Sequence, residues 1–375
     1  MKISAVIAEF NPLHEGHRAL IRKMKENSDG IIAVMSGNFV QRGECSIFEK
    51  YTRGIDAVKA GVDLVLELPL VYSLASAEGF AEGAVKILHS CGIVSELWFG
   101  SEHGEIDDFE KAAEILNNEP PVFSSELTKM LAEGYSFPSA RAKALELSDG
   151  PSFLLNAPNN ILGTEYVRAL KKLSSPIKAK TIKREGSGYN DTEIKKIPSA
   201  SAVRKILEEG KDASEYITIR NETPLFMKNF DFYCAARLKT ISKEELLKLP
   251  DCNEEIATRL KEASRHNSID EILTEASCKS YTISRMRRIL CNMMVQNTLN
   301  LPEPSYLRPL AMNNSGLKIL KEIQKNGALP VASRGAALKN DEIFRLECRG
   351  TDIYNLARGK KGGAEFSATP QILTD

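Results

Sequence analysis

No pair of cysteines in this chain has the CxxC spacing. The seven cysteines, at positions 45, 91, 234, 252, 278, 291 and 348, are odd in number and scattered over 375 residues. This argues against a zinc knuckle and against the disulfide framework of small secreted domains, and for reduced thiols. Net charge is also absent. Fifty basic residues cancel fifty acidic ones, so the whole-chain charge predicts no polyanion partner. No run of 18 apolar residues exists to form a transmembrane helix, and Glu9 interrupts the only N-terminal apolar stretch, leaving no visible signal peptide. The expectation is a cytoplasmic protein with no membrane contact. Three familiar signatures are missing as well. There is no GxxxxGK[ST] loop and no HExxH, and Gly186-Ser187-Gly188 lacks the third glycine of a dinucleotide loop. No metal-ligand cluster, internal repeat or low-complexity tract is visible.

What is present concentrates at the N-terminus. An apolar run, Ile3–Ala8, reads as a buried strand that Asn11-Pro12 cannot continue. His14-Glu15-Gly16-His17 then opens a helix through Leu20, Ile21 and Met24. Free N–H groups at a helix start attract phosphate, and Gly16 removes a side chain where a nucleotide needs close approach. Two imidazoles beside it can donate to phosphate oxygens as charge builds at phosphorus. A histidine near a helix start is often only a surface residue. Position at the first strand, the Phe10-Asn11-Pro12 turn and the intervening glycine favour a nucleotide site.

Strand-like and helix-like segments alternate up to about Gly210. Strands are expected at 31–35, 63–68, 96–99 and 179–183, and helices at 77–88, 109–116, 125–132, 139–147, 161–173 and 202–209. The 161–173 helix has Asn159 or Asn160 as its natural N-cap. This pattern predicts an α/β fold with a parallel, Rossmann-like sheet covered on both faces and ligands at the strand C-terminal ends. Beyond residue 212 the texture becomes helical and charged, at 229–249, 253–265 and 268–298, until Pro302 and Pro304 interrupt it. A short mixed part follows, with a helix at 316–325, a strand at 329–332 and a further segment at 343–356. We therefore expect a nucleotide-binding domain at 1–215 and a mainly helical domain at 216–375. Local charge is uneven: acids dominate 100–150, bases dominate 171–211, and a further basic cluster holds Lys279, Arg285, Arg287 and Arg288. Such clusters are usually solvated faces.

Four more places suit a nucleotide site built on the first strand. Gly100-Ser101-Glu102 ends the 96–99 strand, as an ordinary turn or as a close approach to base or ribose. Asn160 opens a helix. Lys183-Arg184-Glu185-Gly186 ends another strand, where the Arg184 guanidinium suits a phosphate. In Ile197-Pro198-Ser199-Ala200-Ser201-Ala202-Val203-Arg204, either Ser199 or Ser201 caps a helix, and with Arg204 they form a candidate phosphate clamp.

The HxGH tetrapeptide is similar to the signature of the nucleotidyltransferase superfamily, and the Ser199–Arg204 segment to that superfamily's second motif. With the strings SGNFVQRG (36–43), VDLVLELP (62–69), NAPNNILG (156–163) and KREG (183–186), the chain resembles one bacterial family throughout, the tRNA(Met) cytidine acetate ligases. That resemblance implies an ATP-dependent, AMP-forming reaction, with Mg2+ accompanying ATP. Acetate attacks the α-phosphorus, and the N4 amine of the wobble cytidine in elongator tRNA(Met) then takes the acetyl group, giving N4-acetylcytidine. No obligate protein partner is implied. It further implies that His14 and His17 are catalytic. ATP would lie along Ile7, Ala8, Glu9, Phe10, Asn11, Pro12, Leu13, His14, Glu15, Gly16, His17, Arg18, Ala19 and Leu20, and against Gly100, Asn160 and Arg184. Ser199, Ser201 and Arg204 are weaker phosphate contacts, and Lys279, Arg285, Arg287 and Arg288 are candidate tRNA contacts. Two rival readings are a small-molecule adenylyltransferase and a non-catalytic RNA-binding protein that keeps a nucleotide fold.

Overall fold

The computed structural model describes residues 1–184, 199–219 and 221–374. Its strands are β1 (Ile3–Ala8), β2 (Gly30–Ser36), β3 (Phe39–Val40), β4 (Glu44–Cys45), β5 (Leu64–Leu68), β6 (Val94–Ser101), β7 (Lys178–Lys183), β8 (Pro309–Met312) and β9 (Gln371–Ile372). Seven of them form one sheet in the order β7-β6-β1-β2-β5-β8-β9, while β3 and β4 pair separately. β7, β6, β1, β2 and β5 are mutually parallel. Every residue of β1, β2 and β5 is buried, as expected of parallel strands covered on both faces. Successive side chains alternate between two cores. Ile3, Ala5 and Ile7 join one, and Val6 and Ala8 join the other. Helix α1 (Glu15–Lys25) packs Leu20, Ile21 and Met24 into the second core, and α2 (Lys50–Lys59) adds Ala57 and Val58. The Ala77–Ser90 and Pro158–Lys172 helices cover the opposite face.

From β1 the chain moves outward through β2 to β5, then crosses to the other side of β1 to lay down β6 and β7. The direction of winding thus reverses between β1 and β6. At such a point the loops leaving two neighbouring strands diverge and open a crevice at their C-terminal ends. The turn after Ala8 and the end of β6 at Gly100-Ser101 both lie there.

Some expectations need correction. The expected strand at 329–332 is absent, and Val331 makes only an isolated bridge to Leu307. The strand is instead Pro309–Met312, which joins β5 antiparallel. Four residues beginning with proline carry too short a pattern to betray it. The 229–249 segment divides into helices Asp231–Thr240 and Lys243–Leu246, where Ser242 starts a new capping box. The 268–298 segment divides similarly at Thr282, which caps the Ile283–Met294 helix. Neither Asn159 nor Asn160 is an N-cap, because the helix begins at Pro158, whose fixed φ suits a first helical position.

The C-terminal part is anchored to the sheet by a fully buried ionic cluster. Lys50 Nζ lies 2.5 Å from Glu67, 2.5 Å from Glu365 and 3.1 Å from Glu347. Arg308 Nη2 adds a 2.6 Å pair to Glu365. Burial alone would discharge an ammonium, but Glu347, Glu365 and Glu67 hold Lys50 well above its ordinary pKa. Burial and the neighbouring Glu347 push Glu67 up to about 8. Among the described residues no helix is long and apolar enough to cross a membrane.

Candidate nucleotide site

The HxGH spacing is first of all a way to start a helix. His14 is the N-cap of α1 and His17 occupies its N3 position. His14 Nδ1 accepts from Gly16 N at 3.0 Å, and His14 N donates to His17 Nδ1 at 3.3 Å. This is the reciprocal arrangement of a capping box, with His17 three residues from the N–H it accepts and the His14 ring accepting from the N2 position. The rings lie 4.0 Å apart between centroids, and Phe10 meets His17 edge-on at 5.1 Å. A Cβ at position 16 would sit 2.8 Å from His14 Cε1, so Gly16 makes room for the His14 ring itself. The Gly16 N–H is consequently occupied, and the donors this turn offers an anion come from side chains more than from the backbone.

The electrostatics follow from the same contacts. Burial, and after it the positive charge of Arg184, lowers His14 to about 4. Burial, His14, Arg184 and Arg18 together put His17 well below the ordinary imidazole value. Both rings are therefore neutral near pH 7. A neutral imidazole that accepts at Nδ1 carries its proton on Nε2. The turn thus presents two Nε2–H donors whose tautomers are set by backbone hydrogen bonds.

The turn is held rigidly. Phe10 adopts φ 44°, a left-handed conformation that costs a non-glycine residue about 1–3 kcal/mol. The Asn11-Pro12 peptide is cis. Arg53, fully buried on α2, donates to the carbonyl oxygens of Glu9, Ser36, Gly37 and Phe48, tying the ends of β1 and β2 together. Asn11 Oδ1 accepts from Ile47 N at 2.9 Å, and Glu9 Oε1 accepts from Gln41 N at 3.0 Å. Burial raises the Glu9 carboxyl above its usual range, opposed by Arg42 and Arg204.

Several expected residues converge on this crevice. A Cβ on Gly100 would approach Arg184 Cγ at 3.2 Å, so the glycine admits the arginine stem. Arg184 leaves β7 with its N–H on Ser101 O at 2.9 Å and its Nη1 on Asn159 Oδ1 at 3.3 Å. Asn160 is buried. Its Oδ1 accepts from Glu102 N at 2.9 Å and His103 N at 3.2 Å, which fixes the turn after Gly100. Ser199 caps the Ala200–Glu208 helix through Ala202 N at 3.2 Å. Arg204 donates to Asn11 O at 2.9 Å and to Ser201 Oγ at 3.2 Å, bridging the two motifs. Glu185 and Gly186 lie outside the described residues. The remaining positions from Ile7 to Leu20 divide by face: Leu20 belongs to the core, whereas Glu15 and Ala19 are exposed.

The C-terminal basic residues do not form one exposed face. Lys279 is exposed, while Arg285 donates to Asp251 O at 2.7 Å. Arg287 pairs with Glu44 at 2.8 Å, and Arg288 is buried, 3.6 Å from Asp251. Tyr281 precedes the Ile283–Met294 helix instead of lying on it. Sequence reasoning missed Arg53. The one signal for Arg53 is a cationic residue placed on the apolar face of a helix.

This geometry agrees with three comparisons. A family model described as HIGH Nucleotidyl Transferase matches residues 1–366. The tRNA(Met) cytidine acetate ligase of Clostridium perfringens is 39% identical over 401 residues, covering 100% of both chains. That of Clostridium acetobutylicum is 40% identical over 389 residues, covering 95% of this chain and 96% of its own. Thermotoga maritima TmcAL, solved with alpha-thio ATP bound, superposes with a TM-score of 0.90 at 29% identity, over 100% of both chains. A crevice at the reversal of strand order, two neutral histidines in one capping box, and similarity along the whole length lead to a single assignment: the chain belongs to the HIGH nucleotidyltransferases and, among them, to the tRNA(Met) cytidine acetate ligase family.

Proposed function

We propose that the protein joins acetate to the wobble cytidine of elongator tRNA(Met) at the expense of ATP. A carboxylate oxygen of acetate attacks the α-phosphorus, pyrophosphate departs, and acetyl-adenylate forms. The N4 amine then attacks the acetyl carbon, the bond to the phosphate oxygen breaks, and AMP leaves. Activation is needed because the N4 lone pair is delocalised into the cytosine ring. The wobble base lies in a single-stranded loop, so it reaches the crevice by local splaying of the loop.

The observation that carries this reading is the pair of Nε2–H donors at the crevice. Neutral donors gain most when negative charge develops at the phosphorus, and so act on the transition state. Arg184, standing at the same edge, suits the phosphates, with Ser199, Ser201 and Arg204 as a second contact. Gly100 and Asn160 shape the wall for the nucleoside. Mg2+ belongs to this reading as the counter-ion of the triphosphate. We assign nucleotide binding and acetate activation to residues 1–215 and tRNA binding to 216–375, where Lys279 and Arg285 are the more accessible members of the basic cluster. We place the protein in the cytoplasm, with its tRNA substrate and no obligate protein partner.

Labelled acetate, ATP and total tRNA test the proposal. Label recovered as N4-acetylcytidine at one position, without acetyl-CoA, supports it. AMP transferred to a small phosphorylated acceptor would establish an adenylyltransferase instead.

A further inference from the structure

A groove of about 720 Å³ runs between α2, the residues Thr218, Ile219, Asn221 and Glu222, and the C-terminal tail. Its wall contains four carboxylates, Glu49, Asp56, Glu222 and Glu365. Each is engaged from inside the fold. Glu49 accepts from Tyr51 N at 3.0 Å, and Glu222 is 2.6 Å from Arg358. Glu365 belongs to the Lys50–Arg308 cluster. Asp56 accepts from the Thr218 hydroxyl and faces Arg18 at 3.9 Å. The groove also contains Lys59, Lys360 and Lys361, which are exposed and form no ion pair among the described residues. Among the described residues Glu49 alone of these carboxylates has no cationic partner, so three exposed lysines stand against one carboxylate without an ion pair, and the balance presented to solvent is positive.

Two further features point outward from it. Lys360 and Lys361 lie in a loop bounded by Gly359 and Gly363, both at positive φ (66° and 83°), and a Cβ on either glycine would meet nothing within 4 Å. Asp352, on the helix behind this loop, is held by Gly363 N at 2.6 Å. Through Thr218 the groove also meets α1. Thr218 accepts from Arg18 Nη2 at 3.2 Å, and Arg18 follows His17 on α1.

We propose that this groove is a track for the tRNA phosphate backbone, with Lys59, Lys360 and Lys361 contacting successive phosphates of the strand that delivers its base to the crevice. The inference rests on the functional reading above and adds where the substrate lies, extending its contacts from residues 216–375 to Lys59 on α2. Three lysines at an open, glycine-bounded rim suit a flexible polyanion better than a small anion, which needs convergent donors.

The test measures affinity for elongator tRNA(Met) across a salt series with the full-length chain. The K59A/K360A/K361A variant is expected to lower the slope of log affinity against log salt by about 2, at about 0.7 per lost single-strand contact. Acetate-dependent pyrophosphate exchange should be unchanged, which also reports folding. K318A/K321A/K325A, on the Asn314–Asn326 helix, removes the same charge elsewhere and should leave the slope near that of the unaltered protein. An unchanged slope in the first variant, or an equal fall in both, overturns the proposal. Failure of the unaltered protein to acetylate tRNA would overturn the functional reading separately.

Discussion

The histidine turn and the Lys50 cluster both take polar groups out of water, in opposite ways. At the turn, burial and after it the like charges nearby discharge His14 and His17, and their hydrogen-bond partners are backbone atoms three residues away or fewer. In the cluster, three glutamates keep Lys50 charged, and one of them lies 297 residues further along the chain. The turn leaves both Nε2 atoms out of its capping bonds, at the C-terminal end of β1, whereas every member of the cluster is buried. A polar group with unspent hydrogen-bonding capacity beside a cleft is placed for chemistry. One whose partners are all internal is placed for architecture.

The largest effect expected from breaking this contrast is catalytic. His14→Asn keeps a side chain able to cap α1 and loses the Nε2–H donor, so acetate-dependent pyrophosphate exchange should fall by about 10²–10³ while the melting temperature changes little. His17→Ala should fall as far. Near-normal exchange in either variant would remove the histidines from the reaction. Lys50→Met inverts the pattern. Leaving three glutamates buried around an apolar side chain should cost about 3–5 kcal/mol of stability in urea unfolding, with exchange per folded molecule retained. A loss under 1 kcal/mol would mean that the cluster reorganises freely.

A third test uses pH. His14 is lowered to about 4 in the folded protein from about 6.5 unfolded, so between those values the unfolded chain binds more protons. The histidine's contribution to stability is complete above about 6.5 and is lost as pH falls toward about 4, by at most about 1.4 kcal/mol per pH unit. Comparing unfolding across that range in the parent and His14→Asn isolates this share; identical pH profiles would contradict the lowered pKa. The smallest effect should come from Gly16→Ala. Its Cβ would press on His14 Cε1 and tilt the ring, reducing exchange by roughly tenfold, since small misplacements of catalytic groups cost up to about 10² in rate. Full activity would show that the ring has room to shift.

The contrast also separates what could be read from the sequence and what could not. Strand, turn and HxGH are contiguous, and capping is local, so β1, α1 and the crevice were legible in the order of residues. The alternation of the first 210 residues similarly foretold five parallel strands. The Lys50 cluster was not legible, because nothing near Lys50 announces Glu347 or Glu365. β8 escaped for a related reason: an antiparallel strand needs no crossover helix beside it to mark its place. Asn160 was read as a cap from its local position, while its carbonyl oxygen is fixed by the Glu102 turn, a partner 58 residues away.

The antiparallel return of β8 bears on how the molecule is made. During synthesis β5 emerges early, and its outer edge stays unpaired until some 240 further residues have been added, a count that follows from its pairing with β8. An uncovered apolar edge of that kind recruits other strands. Lys50 and Glu67 must likewise wait for Arg308, Glu347 and Glu365 to leave the ribosome. Residues 1–215 alone would thus be a nascent intermediate in need of shielding and a poor candidate for an independent enzyme.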